Sequence, residues 1–142
     1  MIIGYTTGVF DLFHIGHLKI LNRAKKNCDF LIVGVTTDDL MMDYKKKTCV
    51  IPFEERSKIV ANIKSVDKVV AQDSMDKLKA WKKYKFNKMF VGDDWKGTQK
   101  WKKIEKEMKS LGVEVIFFPY TKGTSSTIIN KTLEKLRENE LF

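Results

Sequence analysis

His14 and His17 are the chain's two histidines, three residues apart in Gly8-Val9-Phe10-Asp11-Leu12-Phe13-His14-Ile15-Gly16-His17. At the head of a helix that spacing puts both imidazoles on one face. A helix N-terminus leaves N–H groups unpaired and carries a partial positive charge, so it suits a phosphate. Gly16, between the rings, lets a phosphate come close to the backbone. Two imidazoles there can donate hydrogen bonds to oxygens that gain charge in a phosphoryl-type transition state. Helix histidines can also simply pack or cap. His-x-Gly-His directly after a strand favours chemistry. A zinc site joining His14 and His17 with Cys28 and Cys49 is disfavoured: the spacing matches no usual site, and Cys28 falls at the far end of the helix.

These residues need a scaffold, and apolar runs supply one. Strands are predicted at 2–7, 29–35, 66–71, 88–91 and 113–118. Helical stripes lie between and after them: Ile15, Leu18, Leu21 and Ala24; Ile59, Val60 and Ile63 after Pro52; Leu78 and Trp81; Ile104, Met108 and Leu111, stopped by Gly112; and Ile128, Ile129, Leu133 and Leu136. The alternation predicts an α/β fold: a Rossmann-like, doubly wound, five-stranded parallel sheet with helices on both faces. Such sheets bind ligands at the carboxyl ends of their strands, so sites are expected just after strands one, four and five.

The 142 residues make one expected domain, 1–142. With 43% hydrophobic and 32% charged residues the composition is globular. No apolar run approaches the ~18 residues needed to span a bilayer, and the first residues do not read as a signal peptide. Cys28 and Cys49, without CxxC spacing, read as reduced thiols of a cytoplasmic protein. The net charge of +9 raises a nucleic-acid-binding module as an alternative, with Trp81, Tyr84, Trp95 and Trp101 among lysines. No nucleic-acid fold motif accompanies them, and the α/β order argues for no nucleic-acid partner. Lys77 to Lys103 holds ten Lys against Asp93 and Asp94, which reads mostly as a solvated face.

The stretch from Gly8 to His17 resembles the nucleotidyltransferases of the His-x-Gly-His superfamily. Class I aminoacyl-tRNA synthetases share a similar His-Ile-Gly-His but are far longer and carry a second Lys-rich signature. Three further segments narrow the resemblance: Gly92-Asp93-Asp94-Trp95; Glu55-Arg56 leading to Ser65-Val66-Asp67-Lys68-Val69; and Tyr120-Thr121-Lys122-Gly123-Thr124-Ser125-Ser126-Thr127. Together they are similar to the cytidylyltransferases, most of all the small glycerol-3-phosphate cytidylyltransferases, over about residues 3–133.

That resemblance implies a cytidylyl transfer from CTP to a small phosphorylated polyol, with glycerol 3-phosphate the leading acceptor. The expected products are CDP-glycerol, a precursor for cell-surface polymer biosynthesis, and pyrophosphate. An adenylyltransferase of the same superfamily, acting on another acceptor, is the alternative. His14 and His17 would hold the triphosphate and stabilise the reacting phosphorus, with Lys46 as a third catalytic group. Val9 and Phe10 would offer backbone groups. Asp11 is either a ligand of the Mg²⁺ accompanying the triphosphate or a loop carboxylate capping the helix. Gly16, Lys47, Asp94, Tyr120, Thr121, Gly123, Ser125, Ser126 and Thr127 complete the implied nucleotide site. Lys45, Arg56, Lys64 and Lys77 form the implied acceptor site; a one-residue slip within Lys45–Lys47 is open, as is Lys79 in place of Lys77. The chain departs from the family pattern at Tyr120, where Arg is usual, and at Lys122, Thr124 and Lys64. The resemblance also implies a homodimer, with Met41 and Met42 as candidate contacts or core filler.

Overall fold

The computed structural model of the chain describes residues 1–119 and 126–138, apart from the side chains of Ser126, Thr127 and Asn130. Five strands form one parallel sheet: β1 (Ile3–Gly8), β2 (Phe30–Thr36), β3 (Lys68–Gln72), β4 (Lys88–Gly92) and β5 (Glu114–Phe118). Their order is β3-β2-β1-β4-β5. Six α-helices accompany them: α1 (Ile15–Lys26), α2 (Asp38–Lys45), α3 (Phe53–Ala61), α4 (Lys77–Tyr84), α5 (Gln99–Ser110) and α6 (Ser126–Glu138). A 3₁₀ turn at Asp93–Trp95 follows β4.

The two-residue period of the strands builds two cores. Leu31, Val33 and Val35 of β2 and Phe90 of β4 face one side, where they meet Leu21 and Ala24 of α1 and Val60 of α3. Ile32 and Met89 face the other, with Trp101 and Met108 of α5 and the half-buried Ala80, Trp81 and Tyr84 of α4. The chain leaves β1 for α1 on the first face and leaves β4 for α5 on the second. β1 and β4 are neighbours. Strand order therefore reverses between them, which opens the crevice in which such sheets bind ligands.

The expected architecture is present, with two local differences. The segment 38–45, expected as part of a loop, is the helix α2. Thr37 caps it by accepting the Leu40 N–H through Oγ1 at 3.1 Å, and Asp38 and Asp39 occupy its first turn. The third strand begins at Lys68 rather than Val66, because the Val66 N–H is spent on the Ile63 carbonyl in a turn. Gly112 ends α5 as expected. Its φ of 79° is open to glycine, its N–H bonds to Lys109 O at 3.0 Å, and the Val113 N–H bonds to Met108 O at 2.9 Å.

Candidate active site

α1 begins with a capping box made of histidines. His14 is the N-cap, and its Nδ1 accepts the Gly16 N–H at 3.0 Å. The Nδ1 of His17 accepts the His14 N–H at 3.2 Å. Ser or Thr with Glu usually plays this reciprocal part. Because each Nδ1 is an acceptor, each neutral ring carries its proton on Nε2. Two Nε2–H donors are thus set, with ring centroids 4.0 Å apart, at the N-terminus of a helix. Capping, one of the alternatives in the sequence, uses the Nδ1 edge of each ring and is compatible with donation from the other edge.

The surroundings keep the pair neutral. The His17 ring lies 5.4 Å from Phe10 and 5.2 Å from Phe13. Burial, with the neighbouring His14 second, pushes its pKa down to about 4, against a smaller opposing pull from Asp11. Burial also lowers His14. In the unfolded chain both imidazoles take up protons near the ordinary value of about 6.5, so acid favours the unfolded state. Stability conferred by the neutral pair is present above pH ~6.5 and is lost as pH falls toward that folded value. The acid limb of kcat/KM is expected below pH ~6, with the thermal unfolding midpoint falling over the same window. A limb centred near neutrality would contradict this.

The loop before α1 is held in an unusual shape. Phe10 and Leu12 have φ of 54° and 52°, a conformation that costs a side-chain-bearing residue about 1–3 kcal/mol. Asp11 is buried; its Oδ2 accepts the Val50 N–H at 2.8 Å and its Oδ1 the Ile51 N–H at 2.9 Å. It ties the β1–α1 loop to the segment that follows Lys45–Lys47. Lys45 ends α2, Lys46 is a left-handed C-cap (φ 56°) bonded to Met42 O, and all three lysines are exposed. Lys47 is three residues from Val50, whose N–H is held by Asp11 of the β1–α1 loop.

Arg56 does not stand as an acceptor contact. It is completely buried. Its Nε donates to Ile51 O at 2.8 Å, one terminal nitrogen donates to Val9 O at 2.6 Å and Thr36 O at 2.8 Å, and the other donates to Asp38 Oδ1 at 2.7 Å. Burial alone would raise the Asp38 carboxyl, but the Phe53 N–H and the Arg56 guanidinium hold it below its ordinary range. Arg56 is a tie between three segments at the site's edge. Lys64 is exposed after the end of α3 and before β3. That is the amino edge of the sheet, opposite the histidines within the same chain, so this chain's own Lys64 is not brought to the site.

Lys77 is brought in. As the first residue of α4 it points across the sheet's carboxyl edge, where its Nζ donates to Thr7 Oγ1 of β1 at 3.3 Å and lies 6.0 Å from the Trp101 ring centroid. Burial, and then the charge of Lys100, push its pKa down to about 8. A half-buried ammonium beside a hydroxyl and an indole suits an incoming anion. Asp94 is exposed after β4 and curls back over it: a Cβ on Gly92 would sit 2.7 Å from its Oδ1. Nothing in the sequence pointed to the buried Gln72, whose Oε1 accepts the Thr36 hydroxyl at 2.8 Å beside the Arg56 tie. Trp81, Tyr84 and Trp101 spend their rings in the second core, while Trp95 is exposed. Tyr120, Thr121, Gly123 and Ser125 lie outside the described residues, as do the side chains of Ser126 and Thr127.

Among the described residues, no three or more His, Cys, Asp or Glu side chains are grouped to hold a metal ion. Both Asp11 oxygens accept backbone N–H groups.

The family model described as cytidylyltransferase-like matches residues 5–132. A glycerol-3-phosphate cytidylyltransferase of Bacillus spizizenii is 37% identical over 132 residues, which cover 92% of this chain and 96% of that protein. An FAD synthase of Archaeoglobus fulgidus is 33% identical over 133 residues, 91% of this chain and 96% of that one. Among solved structures, the lipopolysaccharide core biosynthesis protein from Thermoplasma volcanium superposes with a TM-score of 0.72 at 27% identity, covering 87% of this chain and 99% of that chain.

Proposed function

The chain belongs to the cytidylyltransferase-like family, and on that premise we propose that it transfers a cytidylyl group from CTP to glycerol 3-phosphate, giving CDP-glycerol and pyrophosphate. The observation that carries the reading is the histidine capping box: two Nε2–H donors fixed at a helix N-terminus, at the point where strand order reverses. The relatives named for this reaction support the choice of substrates.

The chemistry is one in-line displacement. A phosphate oxygen of the acceptor attacks the α-phosphorus of CTP. The new P–O bond forms as the bond to the bridging oxygen breaks, and pyrophosphate leaves with that electron pair. No group of the protein becomes covalently attached, so positioning and charge stabilisation carry the rate. His14 and His17 donate to phosphate oxygens as they gain charge. Lys46 and Lys47 meet the triphosphate, and the backbone of Val9 and Phe10 and the small Gly16 let it approach α1. Lys77, with Lys45, receives the acceptor phosphate. Asp94 faces the nucleoside. Tyr120, Thr121, Gly123, Ser125, Ser126 and Thr127 complete the nucleotide site in this proposal. Mg²⁺ would accompany the triphosphate, with Asp11 as the residue that would hold it directly or through water, and would offset negative charge on the phosphates.

We read the protein as one cytoplasmic domain that works as a homodimer. The free thiols of Cys28 and Cys49 support a reducing compartment, and no described helix is long and apolar enough to cross a membrane. Met42 on α2, 45% exposed, is the candidate contact between copies.

Pyrophosphate release tests the assignment, measured for each nucleoside triphosphate against glycerol 3-phosphate, FMN and sugar phosphates. Turnover is expected with CTP and glycerol 3-phosphate. Turnover with ATP and FMN alone would overturn it in favour of the chemistry named for the FAD synthase relative.

A further inference from the structure

We propose that Lys100 is a second cation for the acceptor's phosphate, delivered beside Lys77 by the first turn of α5 and held there by the ring of Tyr44. This rests on the cytidylyl-transfer reading and adds to it a residue that sets the preference for a doubly charged phosphate monoester.

Four observations converge. Lys77 is half-buried, and its Nζ bonds to Thr7 Oγ1 and lies 6.0 Å from the Trp101 ring centroid. Lys100 immediately precedes Trp101, in a first turn that holds no acidic residue. The Lys100 Nζ lies 5.9 Å from the centroid of Tyr44, within reach of a cation–π contact. Tyr44 directly precedes Lys45–Lys47 on α2. The contact therefore bridges the lysine end of α2 and the head of α5 across the mouth of the crevice.

The electrostatics favour an anion between them. After burial, the charge of Lys100 is the second influence that disfavours protonation of Lys77. Neither lysine is in a salt bridge among the described residues, whose two ion pairs join Lys25 to Asp67 and Arg56 to Asp38. Two ammonium groups that repel each other, neither paired with a carboxylate in a salt bridge among the described residues, favour a ligand bearing two negative charges. A phosphate monoester has the charge and the acceptor oxygens to meet both. A neutral polyol has neither.

The test separates acceptor from nucleotide. Lys100→Ala is expected to raise the KM for glycerol 3-phosphate about tenfold, the loss of one charge-assisted hydrogen bond, with the KM for CTP within about twofold. Tyr44→Leu, which frees the lysine, is expected to shift the acceptor KM in the same direction by less. Lys109→Ala, a matched loss of charge on the last turn of α5, controls for the general field and should leave both KM values unchanged. Calorimetric titration of the full chain with glycerol 3-phosphate should show the same weakening for Lys100→Ala, whether or not turnover occurs. A wild-type KM and wild-type calorimetric affinity in Lys100→Ala overturn the inference. So does an equal shift in Lys109→Ala. Absence of CTP-dependent turnover in the wild type overturns the functional reading instead, and calorimetry still decides the role of Lys100.

Discussion

His14→Ala and His17→Ala are each expected to lower turnover by about 10²-fold or more, the cost of removing a donor aimed at charge that develops in a transition state. The alanine variants lose two things at once. Each deletes an Nε2–H donor and also an Nδ1 acceptor of the capping box. The cap contributes about 1 kcal/mol to helix α1, so part of any loss could come from a frayed helix. His14→Asn separates the effects. Asparagine is a strong N-cap, and its amide oxygen can take the Gly16 N–H. The variant should melt close to the wild type and still lose most of its turnover. Near-normal rates in both alanine variants would contradict the mechanism. Full activity in His14→Asn would reduce His14 to a cap.

The second large effect is on folding. Arg56→Ala should destabilise the domain by about 3–5 kcal/mol, because it empties the space of a fully buried side chain and strips donors from three carbonyls, while the half-exposed Asp38 loses its cation. The carbonyls of Val9, Thr36 and Ile51 each lose a hydrogen bond. At roughly 2–4 °C per kcal/mol for a chain near this size, the unfolding midpoint should drop by about 10 °C, readable by circular dichroism. Arg56→Lys keeps the charge but lacks the planar fork that reaches four acceptors, so it should also melt early. A contact for the acceptor phosphate would behave differently: stability would hold and the acceptor KM would rise. An Arg56→Lys protein that melts like the wild type and binds glycerol 3-phosphate poorly would contradict the tie.

The contrast between these residues shows where sequence reading succeeds. The histidines were legible because their spacing, the intervening Gly16 and the preceding strand all lie in one short stretch from Ile3 to His17, and local pattern determines local geometry. The strands were legible because β2 is apolar on both faces, as a covered parallel strand must be. Arg56 was not. Its charge suggested a phosphate, but its four partners come from Val9, Thr36, Asp38 and Ile51, which only the folded sheet gathers. Lys64 carried the same suggestion, and the direction of α3 takes it to the opposite edge of the sheet. Helix α2 was missed because it buries no residue completely; the Thr37-Asp38-Asp39 cap was the available signal. The positive charge of the whole chain pointed to a partner. Most of the Lys77–Lys103 block is exposed, and the two members proposed to meet substrate, Lys77 and Lys100, are set apart by what stands next to them rather than by their number.

The most direct measurement follows oxygen. Glycerol 3-phosphate labelled with ¹⁸O in its phosphate is incubated with CTP and the protein, and the products are resolved by mass spectrometry. Attack by the acceptor oxygen on the α-phosphorus predicts CDP-glycerol that keeps every labelled oxygen, with unlabelled pyrophosphate as the other product. CMP together with a labelled glycerol 3-triphosphate would place the attack on the β-phosphorus and contradict the account.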